Sequence, residues 1–344
     1  AQEAAARALG EHARWLAALP GDGDPRLGPE LFARRLALVL DSALTPEALS
    51  AAARAHLDEV DEELRRLARD WTGDADDPVR TALDRVAQDA PDDATVVPTA
   101  RRALAEVTRA VRDAGLVQVP DDACEVVVMP EHRRGVAVAY CDAPGPLERG
   151  GTTEYAISPT PAGWSPARVR SFYREYNRAM IVNLTVHEAV PGHALQLAHA
   201  RRSRPPTRVR AVLASGSFVE GWAVHTEALM AERGLGGVPV RLQQLKMQMR
   251  MTVNALLDAG VHAGGLAERE GLALLTHRAR QEEGEAVGKW RRALLTSGQL
   301  STYFAGWYEL APVLAGRTSY DEVLAHGSPP PRALPALLTG GARA

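Results

Sequence analysis

His187-Glu188-Ala189-Val190-Pro191-Gly192-His193, within the longer run from Asn183 to Gln196, is the stretch that decides how the chain is read. It sets two imidazoles and a carboxylate close together in an otherwise apolar helical pattern. Neutral imidazole beside a carboxylate is the donor set of zinc hydrolysis. In H-E-x-x-H the two histidines stand at i and i+4, about 40° apart around a helix of about 3.6 residues per turn, and both face one ion. His187 and His193 stand at i and i+6, about 240° apart in an ideal helix, and could not share a metal there. Pro191 has no N–H to give the carbonyl of His187 and its ring clashes with it, while Gly192 tolerates backbone angles that other residues avoid. A two-residue loop at Pro191-Gly192 would restore the four-residue offset and leave freed carbonyls in need of partners. The competing reading is a pair of core or capping histidines around a proline kink.

Outward from this stretch, Ser165-Pro166 reads as the N-cap and first position of the helix that leads to it, with Phe172, Tyr176, Met180 and His187 recurring along one face. Arg201 to Thr207, with Pro205-Pro206, ends the unit. The next element, Val212 to Arg233, carries Glu220, 27 residues after His193, where a helical hairpin can return a carboxylate as third ligand. Glu227 lies about 20° off the same face and about 10 Å along it, which suits orienting a ligand histidine through its other ring nitrogen. The two glutamates could exchange roles. Val240 to Ala259 reads as a helix stopped by Gly260, with Arg250, Asn254 and Asp258 as a polar stripe: a buried salt-bridged strut, or at Arg250 a site for a substrate carboxylate.

His187-Glu188-Ala-Val-Pro191-Gly192-His193-Ala-Leu-Gln196 resembles the H-E-A-x-P-G-H-x-x-Q signature of a bacterial family catalogued as domain of unknown function 885, viewed as zincin-like and distantly similar to helical zinc carboxypeptidases and dipeptidases. Three further segments resemble its motifs in the same order. They are Glu220-Gly221-Trp222-Ala-Val-His225-Thr-Glu227, Asp258-Ala-Gly260-Val-His262 and Gly298-Gln299-Leu-Ser-Thr-Tyr303-Phe-Ala-Gly306. His225 stands where the family usually has tyrosine, and Ala194 where a second histidine is common. The resemblance implies His262 and Tyr303 as hydrogen-bond donors to an oxyanion, and Gln196 and His225 as neighbours of the site. It also implies that family members are longer than this chain.

Composition bounds the rest. The 344 residues are 46% hydrophobic and 24% charged, with a net charge of -3, which gives room for a large core and no basic footprint for nucleic acid. No run approaches the ~20 apolar residues of a membrane span. Cys124 and Cys141 are the only cysteines, too few for a disulfide framework. Residues 1–116 read as helices throughout, with a long one from Pro46 to Trp71 and a break from Asp92 to Pro98. Short apolar runs at Cys124–Met129, Gly135–Tyr140 and Thr153–Ser158 read as strands of a small sheet. The N-terminus lacks the pattern of a signal peptide, but the resemblance implies a trimmed N-terminal portion, so localisation is not read from this end; a cytoplasmic protein is the expectation and export stays open.

The expectation is a mainly α, zincin-like metallopeptidase architecture with a small β-sheet beside the metal helix, a helical region over 1–116 and a catalytic region over 117–344. One Zn²⁺ per chain sits on His187, His193 and Glu220, with Glu188 as general base. Peptide or a small amide is the substrate, exopeptidase action on short peptides is favoured by family analogy, and an oligomer is open. The alternatives are a hydrolase or tailoring enzyme of a non-peptide amide, and a silent scaffold.

Overall fold

The structure, a computed structural model, describes residues 2–21, 23–121, 124–135, 137–148, 150–203 and 207–340. Pro205-Pro206 and Val136 of the expected second strand lie outside the described residues. The N-terminal third is helical: α1 (Gln2–Ala17), α2 (Pro29–Leu40), α3 (Pro46–Thr72), α4 (Pro78–Val86) and α5 (Val96–Ala114). The Thr45 hydroxyl accepts from the Ala48 amide at 3.2 Å to start α3, and Gly73, at φ 69, ends it. Between them Leu49, Ala53, Leu57, Val60, Leu64 and Ala68 recur every three or four residues and are buried. The expected break at Asp92–Pro98 is shorter than the sequence suggested. Pro98 sits in the first turn of α5, where a missing N–H is no loss.

The sheet comprises β1 (Cys124–Val128), β2 (Ala139–Asp142) and β3 (Thr153–Ile157), ordered β1-β3-β2, with β1 parallel and β2 antiparallel to β3. The second strand starts later than its apolar run implied. Cys124 pairs with Thr153 and Cys141 with Tyr155, so β3 stands between the two free thiols. After the sheet come α6 (Pro166–Glu175), α7 (Arg178–Glu188) and α8 (His193–Arg202), and α5, α7 and α8 pack against its strands. Ser165 caps α6 as its sequence suggests, accepting from the Arg168 amide at 3.3 Å. The helix expected to run unbroken to His187 is divided, however. Tyr176 turns out of helical geometry, and the Asn177 side chain accepts from the Met180 amide at 3.1 Å, opening α7 as a new helix.

Beyond α9 (Arg208–Val212), α10 (Gly216–Glu232) and α11 (Gly237–His262) cross the centre, followed by α12 (Glu268–Ala273), α13 (Glu283–Leu295), α14 (Thr302–Leu314), α15 (Asp321–Leu324) and α16 (Leu334–Leu338). Gly260 does not stop α11. It lies inside the last turn with Leu266 packed against it, where a Cβ would come within 3.1 Å of that side chain. A continuous buried core runs from Phe32 to Leu334, with α3 along α11 and α5 against α7, so the regions 1–116 and 117–344 pack on each other.

Helices α10 and α14 pack at backbone distance. A Cβ on Gly306 would stand 1.9 Å from the Ser217 carbonyl oxygen, and one on Gly221 would stand 2.3 Å from the Gly306 carbonyl carbon. Two glycines facing each other let backbone meet backbone. That contact sets the first turn of α14, with Tyr303, beside Glu220. Gly306→Ala should therefore force the helices apart and cost about 1–3 kcal/mol or more of stability, as overpacking does. A fall in the urea midpoint checks it; an unchanged midpoint would show that the contact can relax without cost.

Candidate metal centre

At the junction of α7 and α8 the backbone takes the excursion the sequence implies. The Gly192 amide donates to the Val186 carbonyl at 2.9 Å and the Leu195 amide to the Ala189 carbonyl at 3.0 Å, each reaching back six residues where a helix reaches four. Two residues are thus looped out. Gly192 is required by closeness: a Cβ there would lie 1.9 Å from the His187 carbonyl oxygen. The freed Pro191 carbonyl accepts from the Trp222 indole N–H at 2.9 Å, a partner supplied by α10. Val190–Pro191 is a cis peptide.

The excursion sets the His187 and His193 rings edge to face, centroids 4.6 Å apart. Glu220 Oε2 stands 3.6 Å from His187 Nε2 and 3.5 Å from His193 Nε2. This oxygen is buried and has no hydrogen-bond partner among the described residues. Of the described residues, His187, His193 and Glu220 form the group whose ligand atoms lie close enough together, within 4.8 Å, to hold one ion. Glu227, the other glutamate on α10, sits on the opposite side of the His187 ring. Its Oε1 accepts from Nδ1 at 2.6 Å and its Oε2 from the Asn183 amide at 2.5 Å. The question left open between the two glutamates is answered by position: Glu220 faces the shared space and Glu227 orients a ring.

With its proton on Nδ1, a neutral His187 turns a lone pair from Nε2 toward Glu220, as does His193. Bare lone pairs repel, so the space needs positive charge. The metal-free protein supplies it as protons. Burial lowers the pKa of His187, but the carboxylates on its two nitrogens hold it well above the ordinary value. Burial raises that of Glu220, and the two imidazoles hold it well below the usual carboxylate range. The spacing tells against protons alone, since hydrogen bonds between such charges run at ~2.7–2.9 Å. Tetrahedral ligands ~2.0–2.2 Å from a zinc ion stand ~3.4 Å apart, which the observed separations match. The residues therefore fit zinc.

Glu188, beside His187, is partly exposed and makes no hydrogen bond to a described residue. Burial raises its carboxyl above the ordinary range against the pull of both histidines. Tyr303 stacks toward His187 with centroids 6.4 Å apart. Its hydroxyl oxygen lies 3.4 Å from Arg292 Nη2 and 3.5 Å from Gln299 Nε2, both donors, which leaves its own proton free.

The other expected site residues lie elsewhere. His262 is stacked on Phe32 and gives its Nε2–H to the Ala293 and Thr296 carbonyls at 2.9 and 2.7 Å, so that nitrogen is not free for an oxyanion. Asp258 accepts from the amides of Gly298 and Ser301, fixing the turn into α14. Arg250 is the buried strut: Nη1 meets Glu175 at 3.2 Å and Nη2 meets the Tyr176 hydroxyl at 3.3 Å, with Lys246 on the same Glu175 at 2.8 Å. It is not free for a substrate carboxylate. Gln196 donates to Ser328 at 2.8 Å and is structural. His225 meets the Tyr320 hydroxyl at 3.2 Å and stacks near Trp222. Sequence reasoning passed over Asn183 and the indole of Trp222. Asn183 stands one helical turn before His187, and Trp222 lies inside a motif already singled out. A cavity of about 180 Å³ behind α8, lined by Leu104, Val119, Cys124, Val190 and Ala194, includes none of the cluster.

The chain matches, over residues 1–338, the family described as "Bacterial protein of unknown function (DUF885)", and it belongs to that family. A solved structure from Shewanella oneidensis, described as a "putative lipoprotein of unknown function", superposes with a TM-score of 0.82 at 29% identity, covering 98% of this chain and 65% of that one. A Colwellia psychrerythraea protein, also described as a lipoprotein of that provisional kind, superposes at 0.76 with 17% identity, covering 92% of this chain and 57% of that one. The chain thus spans under two thirds of the length of these relatives. No curated protein matches it. The mainly helical fold with a small sheet is shared with both solved structures.

His225 yields a pH test independent of the cluster. Burial, with Arg233 nearby, holds its pKa down to about 4 from 6.5. The unfolded chain takes up this proton first as pH falls. Stability contributed by the neutral ring is therefore complete above about pH 6.5 and is lost down to about pH 4, by up to ~3 kcal/mol. His225→Gln should flatten that part of the curve in urea denaturation series. An acid limb of unchanged steepness would put the loss in other groups.

Proposed function

From this family membership and the geometry of the cluster, we propose that the chain is a zincin-like metallohydrolase acting on peptide bonds, with His187, His193 and Glu220 holding one Zn²⁺. The observation that carries the reading is Glu220 Oε2, buried without a hydrogen bond and 3.5–3.6 Å from two imidazole nitrogens. A zinc ion bound there supplies Lewis acidity and brings the pKa of water to ~7. The remaining work belongs to side chains. Glu188, adjacent to a ligand and unbonded to any described residue, takes the proton of the attacking water and returns it to the leaving amine, and its raised pKa suits both directions. Tyr303, with a proton to give, takes the oxyanion role expected also of His262, whose nitrogen is committed elsewhere.

Strand β2 supports the choice of peptide. It is an edge of the sheet, paired to β3 on one side, and packs against α7 and α8 on either side of the bulge. Glu188 is close enough to raise the Cys141 thiol of this strand, after burial itself. An edge strand beside the base can hold extended peptide by main-chain hydrogen bonds.

No described helix is long and apolar enough to cross a membrane. The lipoprotein description of both relatives supports an exported protein, and the cytoplasmic expectation finds no support.

Elemental analysis of purified protein should find about one zinc per chain, lost in His193→Ala. Glu188→Gln should keep the metal while turnover of a peptide library falls on the order of 10²- to 10⁴-fold. Protein that stays metal-free after reconstitution with zinc, manganese or cobalt would end the hydrolase reading. Zinc with no peptide cleavage would move the substrate to another amide.

Glu227→Gln should weaken zinc binding about 10- to 100-fold, because the His187 ring loses the carboxylate that fixes its proton on Nδ1. Competition with a chromophoric chelator measures it. Unchanged affinity would make Glu227 a packing residue only.

A further inference from the structure

On α13, Glu285, Lys289 and Arg292 stand at i, i+4 and i+7 and share one face. The two ends of that face are anchored. Glu285 accepts from the Tyr176 hydroxyl at 2.6 Å, beside the Arg250 strut. Arg292 donates to Gln299 at 2.6 Å and reaches the Tyr303 hydroxyl at 3.4 Å, and Tyr303 stacks toward His187. Lys289 lies between, partly buried, and no ion pair or hydrogen bond joins it to a described residue. Glu285 does not serve it, being occupied by Tyr176 and facing Arg250. A cationic patch thus borders the ligand cluster, and neither cation has a carboxylate partner among the described residues.

A charge left so is costly, and a site gains by presenting it only to an incoming anion. Burial, with Arg250 and Arg292 adding their repulsion, holds the Lys289 ammonium down to about 7, and Glu285 and Glu220 do not restore it. We infer that the α13 face carrying Lys289 and Arg292 is the subsite that holds a carboxylate of the substrate, next to the metal-ligand cluster. The inference rests on the hydrolase reading for the word substrate and on the geometry for the site. It replaces Arg250 in that role, since Glu175 and Tyr176 already occupy the Arg250 guanidinium. From the His187 ring to the Arg292 fork the path runs through a single side chain, Tyr303. That path is at most about 13 Å, which two to four residues of extended peptide, ~3.3–3.6 Å each, cover. The carboxylate is therefore close to the scissile bond: the C-terminal group of a substrate cut near its end, or an acidic side chain there.

The test reads binding apart from turnover. An N-acetylated alanine tripeptide is titrated calorimetrically as its free acid, as its C-terminal amide, and as an amide ending in glutamate, into zinc-reconstituted Glu188→Gln protein and into wild type as purified. Metal content and thermal unfolding are recorded for each variant. The expected result is a preference for the free acid over the amide on the order of 10- to 100-fold, lost in Lys289→Met and retained in Lys289→Arg. A preference confined to the glutamate amide, and likewise lost in Lys289→Met, upholds the subsite and assigns the carboxylate to a side chain. Equal affinity for all three peptides overturns the inference, as does a preference that survives both Lys289→Met and Arg292→Met. The two readings fail separately: carboxylate preference without metal or cleavage sinks the hydrolase alone, and cleavage indifferent to carboxylates sinks the subsite alone.

Discussion

Everything chemical in this fold depends on a helix that is interrupted without being abandoned. The six-residue reach of the Gly192 and Leu195 amides keeps the chain hydrogen-bonded through the excursion, so α8 leaves the junction held to α7. An unbroken helix would have pointed the two imidazoles to different sides; a loop of free length would have let them wander. The excursion works because two other residues accept its consequences. Gly192 leaves room for carbonyl oxygens where any Cβ would collide, and Trp222 bonds the Pro191 carbonyl that the excursion leaves without a helical donor. The indole belongs to α10, the helix that brings Glu220, so the helix that stabilises the bulge also delivers the carboxylate that faces the two imidazoles.

A second constraint fixes α10 itself. The contact of Gly221 with Gly306 brings α14 to backbone distance, and Asp258 holds the turn that precedes it through the Gly298 and Ser301 amides. His262 tethers the end of α11 to α13 by two carbonyls. These residues share motifs with the cluster because they position its neighbours. That explains why a reading by resemblance assigned them to the chemistry: a motif records what must be kept, and keeping a helix in place leaves the same mark as touching a substrate.

The division between what the sequence disclosed and what it withheld follows from this. The bulge was legible because proline and glycine at adjacent positions have local consequences that no tertiary contact can reverse. The place of Glu220 beside the two histidines was legible because a glutamate in an apolar run needs a partner. The break between Tyr176 and Asn177 was not, since an apolar face continues across it and asparagine caps only where the chain happens to turn. Arg250 was undecided between strut and subsite until Glu175, on a helix 75 residues earlier, was seen against it. Lys289 and Arg292 drew no reading from the sequence, because what sets them apart is the carboxylate partners they lack, and a missing partner has no sequence signal.

The charges of the centre close the argument. Glu188, Glu220 and Glu227 bring three carboxyl groups to a partly buried space. Protons and a divalent ion are alternative sources of positive charge beside these carboxyls, so binding the ion would amount to exchanging it for protons. Electrostatics alone does not choose between these states. On the proposed function the distances favour the ion, because Glu220 stands too far from either nitrogen for a strong hydrogen bond and at the separation of ligands sharing one ion. Bordering this space are Lys289 and Arg292 of α13, neither paired with a carboxylate among the described residues. Lys289 is thus poised between two carboxylate sources: too loosely placed to pair with the cluster, and close enough that a substrate carboxylate finds both its counter-charge and, through Tyr303, the edge of the metal site.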